Sequence, residues 1–240
     1  MRGSFYSPLS HNNPGDPVYN ELSQRMKKTL DLDSSPVAVS FSIEPPEGVE
    51  EMKGELRLCQ MLDKARLLGE SFYTVAANHK CDGGASSCGL KAMGDRIKTG
   101  EFLSENLHLF GSRRAARRFT SANPRIEYGT VKVVTFSPLE KALAAPDVVI
   151  LVCNARQAME IAEASAYETG GRAAGLTGPP ICSSIVAAPF LTGEVVYSLG
   201  DTGVRKYMRV RDEDVFVGIP AELVVNVLEN LSTMRSFDGS

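Results

Sequence analysis

Apolar residues recur along the chain at two spacings, and each spacing predicts one type of secondary structure. An apolar residue at every fourth position from Val18 to Leu30 predicts a helix that begins after Pro17. Short runs of β-branched and aromatic residues bounded by Pro or Gly predict strands. Further helices are predicted at 59–68, 112–122, 154–165, 182–188 and after 220, and strands at 36–43, 71–77, 130–136, 147–152, 194–198 and 215–219.

The predicted helices and strands interleave, which favours an α/β or α+β fold with a layered mixed sheet flanked by helices. Residues 1–16 are rich in Ser, Asn, Pro and Gly and are expected to form a flexible N-terminal arm. Residues 17–240 are expected to form a single α/β domain, with a candidate subdomain boundary at 124–146. A chain of 240 residues, 43% of them hydrophobic, can bury a sizeable core without disulfides.

Composition argues against several classes of protein. The sequence contains no apolar run of membrane-spanning length and no signal-like start, so we expect a cytoplasmic protein with no membrane partner. A net charge of −3 and the lack of a groove-fitting motif argue against nucleic acid as a partner. In a reducing cytosol, the five cysteines are expected to be buried side chains, ligands or redox groups before disulfides. A homodimer is the default expectation for the oligomeric state.

Cys81 and Cys88 bracket a segment with the sequence Cys-Asp-Gly-Gly-Ala-Ser-Ser-Cys. Because glycine tolerates backbone conformations that other residues avoid, we expect a loop that wraps closely around a small group. Cys59 lies in the first turn of a predicted helix and Cys182 at the start of another, where a thiolate is favoured. Thiolates bind soft metals and iron–sulfur clusters. These four cysteines are therefore candidate ligands of one metal or cluster.

Two further residues near strand ends have more than one interpretation. Cys153 ends a fully apolar strand and is the least favoured ligand, because cysteine is often buried as a small apolar group. Packing alone is an alternative for the other cysteines too. His79 lies two residues before Cys81 and could bind a metal, act as an acid–base group or donate to a sulfur atom. A turn histidine bonded to the backbone is an equally good interpretation.

Positive charge is concentrated in one part of the chain. Residues 91–132 contain nine basic and four acidic residues. Four arginines in this stretch recur at spacings of one and four and form one cationic helix face: Arg113, Arg114, Arg117 and Arg118. A small anionic molecule, a phosphate or an acidic partner could bind there. A solvated face with ordinary ion pairs is the alternative.

Several stretches of the sequence together resemble a known family. They are Phe72-Tyr73, Cys59 followed downstream by His79-x-Cys81-x-Gly-Gly-Ala, Pro146-Asp147-Val148-Val149, Gln157-Ala158-Met159 and Pro179-Pro180-Ile181-Cys182-Ser183. The family is the uncharacterised domain of unknown function 169 of archaea and anaerobic bacteria, and this version is similar to that of methanogens. The resemblance extends from Leu22 to Leu231 and implies no activity. It implies that Cys59, Cys81 and Cys182 belong to the family pattern, whereas Cys88 is an addition of a subgroup.

Three functional hypotheses follow, and they leave open whether the protein is an enzyme. The leading one is an iron–sulfur protein of an anaerobic archaeon, with a 4Fe–4S cluster bound by Cys59, Cys81, Cys88 and Cys182. Its task is electron transfer with a redox partner protein, or redox or Lewis-acid chemistry on a small anionic molecule. The second is a metal-free thiol enzyme in which Cys81 or Cys182 is the nucleophile and His79 the base. The third is a non-catalytic protein that binds or senses a small ligand.

Overall fold

The computed structural model describes residues 17–143 and 145–235, and in these residues one six-stranded sheet separates two layers of helices. The strands are β1 Val37–Ser42, β2 Phe72–Thr74, β3 Val133–Pro138, β4 Val148–Cys153, β5 Val196–Ser198 and β6 Val215–Pro220. The α-helices are α1 Pro17–Leu30, α2 Leu58–Leu68, α3 Asp82–Ser87, α4 Asp95–Lys98, α5 Arg113–Ala122, α6 Ala155–Ala166, α7 Ala188–Thr192, α8 Thr202–Tyr207 and α9 Val224–Arg235. Short 3₁₀ turns lie at Ala76–Asn78, Leu139–Lys141 and Ala221–Leu223, and π-helical turns at Phe102–Asn106 and Ser183–Ala187.

The strands lie in the order β2-β3-β1-β4-β6-β5. Val37 of β1 is opposite Pro138 of β3 on one side and Ile150 of β4 on the other. The predicted layered fold of a sheet with flanking helices is confirmed. Pairs between these strands are antiparallel, whereas a mixed sheet was expected. The reason is that α2 joins β1 to β2, which are separated in the sheet by β3, so this helix does not connect two adjacent parallel strands.

Alternate residues along the strands face two separate apolar cores, as the period of two requires. On one face, Val149 and Cys153 pack with residues of α1, α6 and α9. On the other face, Val148 and Ile150 pack with residues of α2, α3 and the π-helical turn Ser183–Ala187. That second core contains three buried cysteines: Cys59, Cys88 and Cys182. Cys153 therefore belongs to a different core from these three.

The prediction of a loop at residues 81–88 is wrong, because these residues form α3 and its caps. Gly84 and Ser87 are buried, although the composition suggested a segment outside the core. Glycine disfavours a helix by about 1 kcal/mol relative to alanine, but tertiary packing routinely outweighs that preference. The short helix α8 was likewise not among the predicted helices, and its first turn is capped by Asp201, which accepts a hydrogen bond from the Val204 amide at 2.7 Å.

Two expectations concern how the chain is organised: a candidate domain boundary and an N-terminal arm. The candidate boundary at 124–146 contains β3, which pairs with both β1 and β2 in the sheet, and the division into domains stays a prediction. The arm predicted for residues 1–16 lies outside the described residues. In the two described ranges, no helix has both the length and the apolar character needed to cross a membrane.

Gly218 of β6 lies directly beneath the segment that follows Cys182. A Cβ atom at this position would lie 2.7 Å from Pro189 Cγ and would collide with the carbonyl oxygen of Ile185. Glycine is therefore required for the close approach of β6 to the π-helical turn Ser183–Ala187. This contact fixes the height of that turn above the sheet.

We expect Gly218→Ala to lower the free energy of unfolding by roughly 2 kcal/mol or more, because an overpacked core must shift backbone. The matched control is Gly111→Ala, where an added Cβ meets nothing within 4 Å. That control should change the free energy by less than about 1 kcal/mol. Urea unfolding followed by circular dichroism measures both values, and equal losses in the two variants would contradict the proposed packing constraint.

Candidate functional site

The first turn of α3 brings its backbone against two cysteine side chains. A Cβ atom at Gly84 would lie 3.4 Å from Cys182 Sγ and 3.1 Å from Leu58 Cβ. A Cβ atom at Gly83 would lie 3.6 Å from Cys81 Sγ. A side chain at Gly84 would crowd Leu58 at the start of α2. The two glycines therefore allow the helix to pack closely against the segments that carry the thiols.

Three segments that are distant in sequence supply the thiols of this site. Cys81 is the half-exposed N-cap residue of α3, and Cys88 is its buried C-cap residue. Cys59 is the second residue of α2, and Cys182 directly precedes the π-helical turn Ser183–Ala187. Cys59 and Cys182 are buried, and all four side chains are free thiols. We call these four residues the thiol cluster.

Burial dominates the protonation of the three buried thiols of the cluster, and the charges of neighbouring thiols add to its effect on the pKa at Cys59 and Cys182. Burial, followed by the charge of Cys81, raises the pKa of Cys59 to about 12. Burial raises the pKa of Cys88 to about 12. Burial raises the pKa of Cys182 well above its usual value, and the charges of Cys81, Cys88 and Cys59 raise it further. Geometry agrees with this grouping, since Cys59, Cys88 and Cys182 belong to one apolar core and a Cβ atom at Gly84 of α3 would lie 3.4 Å from Cys182 Sγ.

Four thiols are a donor set of the kind that soft metals and iron–sulfur clusters prefer. Among residues 17–143 and 145–235, no three His, Cys, Asp or Glu side chains are placed to hold a single metal ion. An iron–sulfur cluster separates its thiolates more widely, since several irons and sulfides lie between them. Bonds to iron would also stabilise thiolates that burial and mutual repulsion disfavour. The role of these cysteines as ligands stays a prediction.

Asp201 is a neighbour of the thiol cluster that the sequence analysis did not single out. Its Oδ2 accepts a hydrogen bond from the Ile181 amide at 2.6 Å, next to Cys182. Its charge contributes to the raised pKa of Cys182 and of Cys59. Asp201 thus positions the Cys182 segment against the start of α8. An Asp that precedes six residues ending in Arg-Lys-Tyr is a helix-start signal that could have revealed this contact.

His79 is 2% exposed, and its imidazole contacts β2. Nε2 lies 3.0 Å from Thr74 Oγ1, and Nδ1 has no hydrogen-bond partner within the described residues. Burial, followed by the charge of Lys91, lowers the pKa of His79 to about 4. The imidazole is therefore neutral near pH 7 and weakly basic. Lys91 also donates to the His79 carbonyl oxygen at 3.3 Å and pairs with Asp82 at 3.6 Å.

The four arginines predicted as one cationic face lie in α5, which buries Ala116 and Thr120. Arg113 is already paired, since its Nη2 donates to Glu105 Oε2 at 2.8 Å and its Nε bonds the same carboxylate. The other three guanidinium groups have no carboxylate partner in the part of the chain that the structure describes: Arg114, Arg117 and Arg118. Anion binding by this face stays a prediction that now rests on three residues.

Comparison with known proteins assigns the chain to a family. The model of a family described as "Uncharacterised ArCR", domain of unknown function 169, matches residues 25–230. The chain belongs to this family. A curated relative from Methanocaldococcus jannaschii, "Uncharacterized protein MJ0308", is 31% identical over 228 residues, which are 90% of this chain and 96% of the relative. No solved structure matches the chain. The family resemblance predicted from the sequence is confirmed, and the thiol cluster lies within the matched residues.

The exposure of the thiol cluster predicts which cysteine reacts first in iron-free, folded protein. We expect iodoacetamide to alkylate Cys81 at least about tenfold faster than any other cysteine, because alkylation needs an accessible thiolate. Burial denies that access to the remaining four thiols: Cys59, Cys88, Cys153 and Cys182. Peptide mass spectrometry of a time course measures the rates, and denatured protein provides the reference in which all five react. Equal rates at Cys81 and Cys182 in the folded protein would contradict the structure.

Proposed function

We propose that this protein binds an iron–sulfur cluster through the thiol cluster and functions in electron transfer or in redox chemistry on a small anionic molecule. The observation that carries the proposal is the packing of Cys59, Cys88 and Cys182 in one core, with the α3 backbone against the sulfur atoms of Cys81 and Cys182. Four thiols are the ligand number of a 4Fe–4S centre. Packing does not by itself require four thiols to gather in one place, because cysteine fills a core as a single small group.

Burial supports a redox role for a centre at this site. Cys59, Cys88 and Cys182 belong to the larger apolar core of the sheet, and Cys81 is half-exposed. A centre held here would have an apolar side and a side close to the surface. Reduction potentials of such centres depend on solvent exposure and on hydrogen bonds to sulfur. The half-exposed side at Cys81 would supply the short path that electron transfer to a partner protein requires.

The metal-free thiol enzyme is the weaker alternative. Its base, His79, has a lowered pKa and an Nε2 that already contacts Thr74 Oγ1. A general base works best when its pKa lies near the working pH. Its nucleophile would have to be the half-exposed Cys81, because burial raises the pKa of Cys182 and keeps that thiol protonated.

Anaerobic reconstitution with iron and sulfide tests the proposal. We expect brown protein with about four irons and four sulfides per chain, an absorbance that oxygen bleaches, and a paramagnetic signal on reduction. Colourless protein that retains no iron after gel filtration would contradict the proposal. The labelling experiment gives a second readout, since iron-loaded protein should protect Cys81 from iodoacetamide.

Single Cys→Ser variants test which thiols take part. Replacing Cys59, Cys88 or Cys182 by Ser should reduce the iron retained by at least about half, because serine is a poor ligand for these clusters. Cys153→Ser is the matched control, since Cys153 is equally buried but packs in the other core and donates to the Val215 carbonyl oxygen at 3.6 Å. If Cys153→Ser loses as much iron as the other variants, the assignment of ligands is wrong.

A further inference from the structure

A small pocket lies beside the segment that carries Cys182. Its volume is about 130 Å³, and it is bounded by the end of α5, by residues 176–178 and by Ser184. Asn123, at the C-cap of α5, donates to the Pro179 carbonyl oxygen at 3.0 Å and so joins the two sides. We call this cavity the Phe119 pocket, after the aromatic ring that forms one wall. Ser184, which lines the pocket, lies two residues after Cys182 in the chain.

The shape of the Phe119 pocket depends on Gly178. This residue has a φ of +131°, and a Cβ atom there would lie 2.5 Å from Phe119 Cζ. The glycine lets the ring of Phe119 lie against the loop backbone, and the ring also contacts Phe110 at a centroid distance of 5.0 Å. Together with Leu176, the ring makes the wall largely apolar. A ligand of this pocket therefore needs an apolar part.

Three polar side chains line the same pocket, and each has a hydrogen left to donate. Ser184 is 5% exposed, and its hydroxyl has no hydrogen-bond partner among the described residues. Thr177 Oγ1 accepts from the Leu199 amide at 3.1 Å, which leaves its own hydrogen available. Asn123 has a second amide hydrogen besides the one bonded to Pro179. The Phe119 pocket thus offers several donors to one small acceptor group.

The absence of acidic residues from the lining is compatible with an anionic acceptor. No Asp or Glu of the described residues lines the pocket. Arg118 precedes Phe119 in α5 and has no carboxylate partner in the described ranges. Arg125 is half-buried, donates to the Thr120 carbonyl oxygen at 2.5 Å, and likewise lacks a carboxylate partner there. Arg118 and Arg125 are thus neighbours in sequence of lining residues, and the lining itself has no carboxylate to repel an anion.

We propose that the Phe119 pocket binds a short-chain monocarboxylate, with its carboxylate accepting from Ser184, Thr177 and Asn123 and its alkyl part against Phe119 and Leu176. The volume equals that of roughly four waters at ~30 Å³ each, which limits the ligand to a few non-hydrogen atoms. A carboxylate satisfies several donors at once, whereas an alcohol of the same length does not. This inference names the small anion of the proposed function, and only the claim that the anion reacts rests on that function.

Titration of the full chain with acetate, propionate, butyrate and hexanoate tests the inference, with 1-butanol as the neutral control. Saturable binding is followed by protein amide shifts in two-dimensional NMR at constant ionic strength. We expect butyrate to bind at least about tenfold more tightly than 1-butanol, because hydrogen bonds to a charged group are the stronger ones. Hexanoate should bind more weakly than butyrate, since the volume excludes the longer chain.

Two exposed positions on α5 give a matched pair of variants. Ala122 lines the pocket mouth, so Ala122→Phe should block it and weaken butyrate binding at least about tenfold. Ser121 is equally exposed and does not line the pocket, so Ser121→Phe should bind as the wild type does. Ser184→Ala removes one donor and should weaken binding by about tenfold. Comparison of amide spectra without ligand verifies that each variant is folded.

The possible outcomes separate the two proposals. Saturable butyrate binding that Ala122→Phe abolishes supports the pocket, whether or not the protein takes up iron. Equal binding of butyrate and 1-butanol, equal binding by the Ala122→Phe and Ser121→Phe variants, or no saturable binding of any carboxylate would overturn it. Iron uptake without carboxylate binding removes the pocket and leaves the iron–sulfur proposal standing. Carboxylate binding by protein that retains no iron removes the iron–sulfur proposal and leaves the pocket standing.

Discussion

The close packing of the α3 backbone against sulfur is the constraint on which the candidate site depends. Gly84 lies where an added side chain would crowd Leu58 Cβ at 3.1 Å and reach Cys182 Sγ at 3.4 Å. Through this contact the start of α2, the whole of α3 and the segment before the π-helical turn Ser183–Ala187 meet over one face of the sheet. Gly218 supports the same arrangement from below, because it lets β6 approach that turn. The absence of a side chain at Gly84 and Gly218 therefore determines where the thiols lie, and the apolar core then holds them there.

Two features of the thiol cluster act in the same direction in the absence of a bound group. Burial disfavours the thiolate forms of Cys59 and Cys182, and neighbouring thiols disfavour them further, so these two side chains stay protonated and unreactive. A thiophilic centre would reverse this balance, since bonds to iron stabilise several thiolates together. Asp201 adds negative charge beside Cys182 and at the same time holds the Ile181 amide. Nucleophilic chemistry is disfavoured at the buried thiols, because a nucleophile needs a lowered pKa and access to solvent.

The long periodic elements could be predicted from the sequence, and the short ones at the site could not. The helix from Pro17 to Leu30 and the central strands follow from apolar spacing, because their patterns reflect burial on one face or on both. The helix at Asp82–Ser87 has no such pattern, and its glycines indicated a loop, since only its neighbours in the fold stabilise it. Cysteines as a candidate set could be selected by residue type and position. The Phe119 pocket could not, because its walls come from segments with no shared motif, and Asp201 was missed because a helix of six residues resembles a turn.

The thiols of this protein come from early, middle and late parts of the chain, and this order has a consequence for biosynthesis. Cys59 and Cys88 emerge from the ribosome well before Cys182, which lies beyond β4 and α6. A nascent chain that ends before Cys182 lacks one wall of the site, however well its first half has folded. Insertion of any resident group must then follow synthesis of most of the polypeptide and docking of its late segment, since contacts of such long sequence separation form slowly. Loading of the site with any such group would thereby be confined to a nearly finished protein.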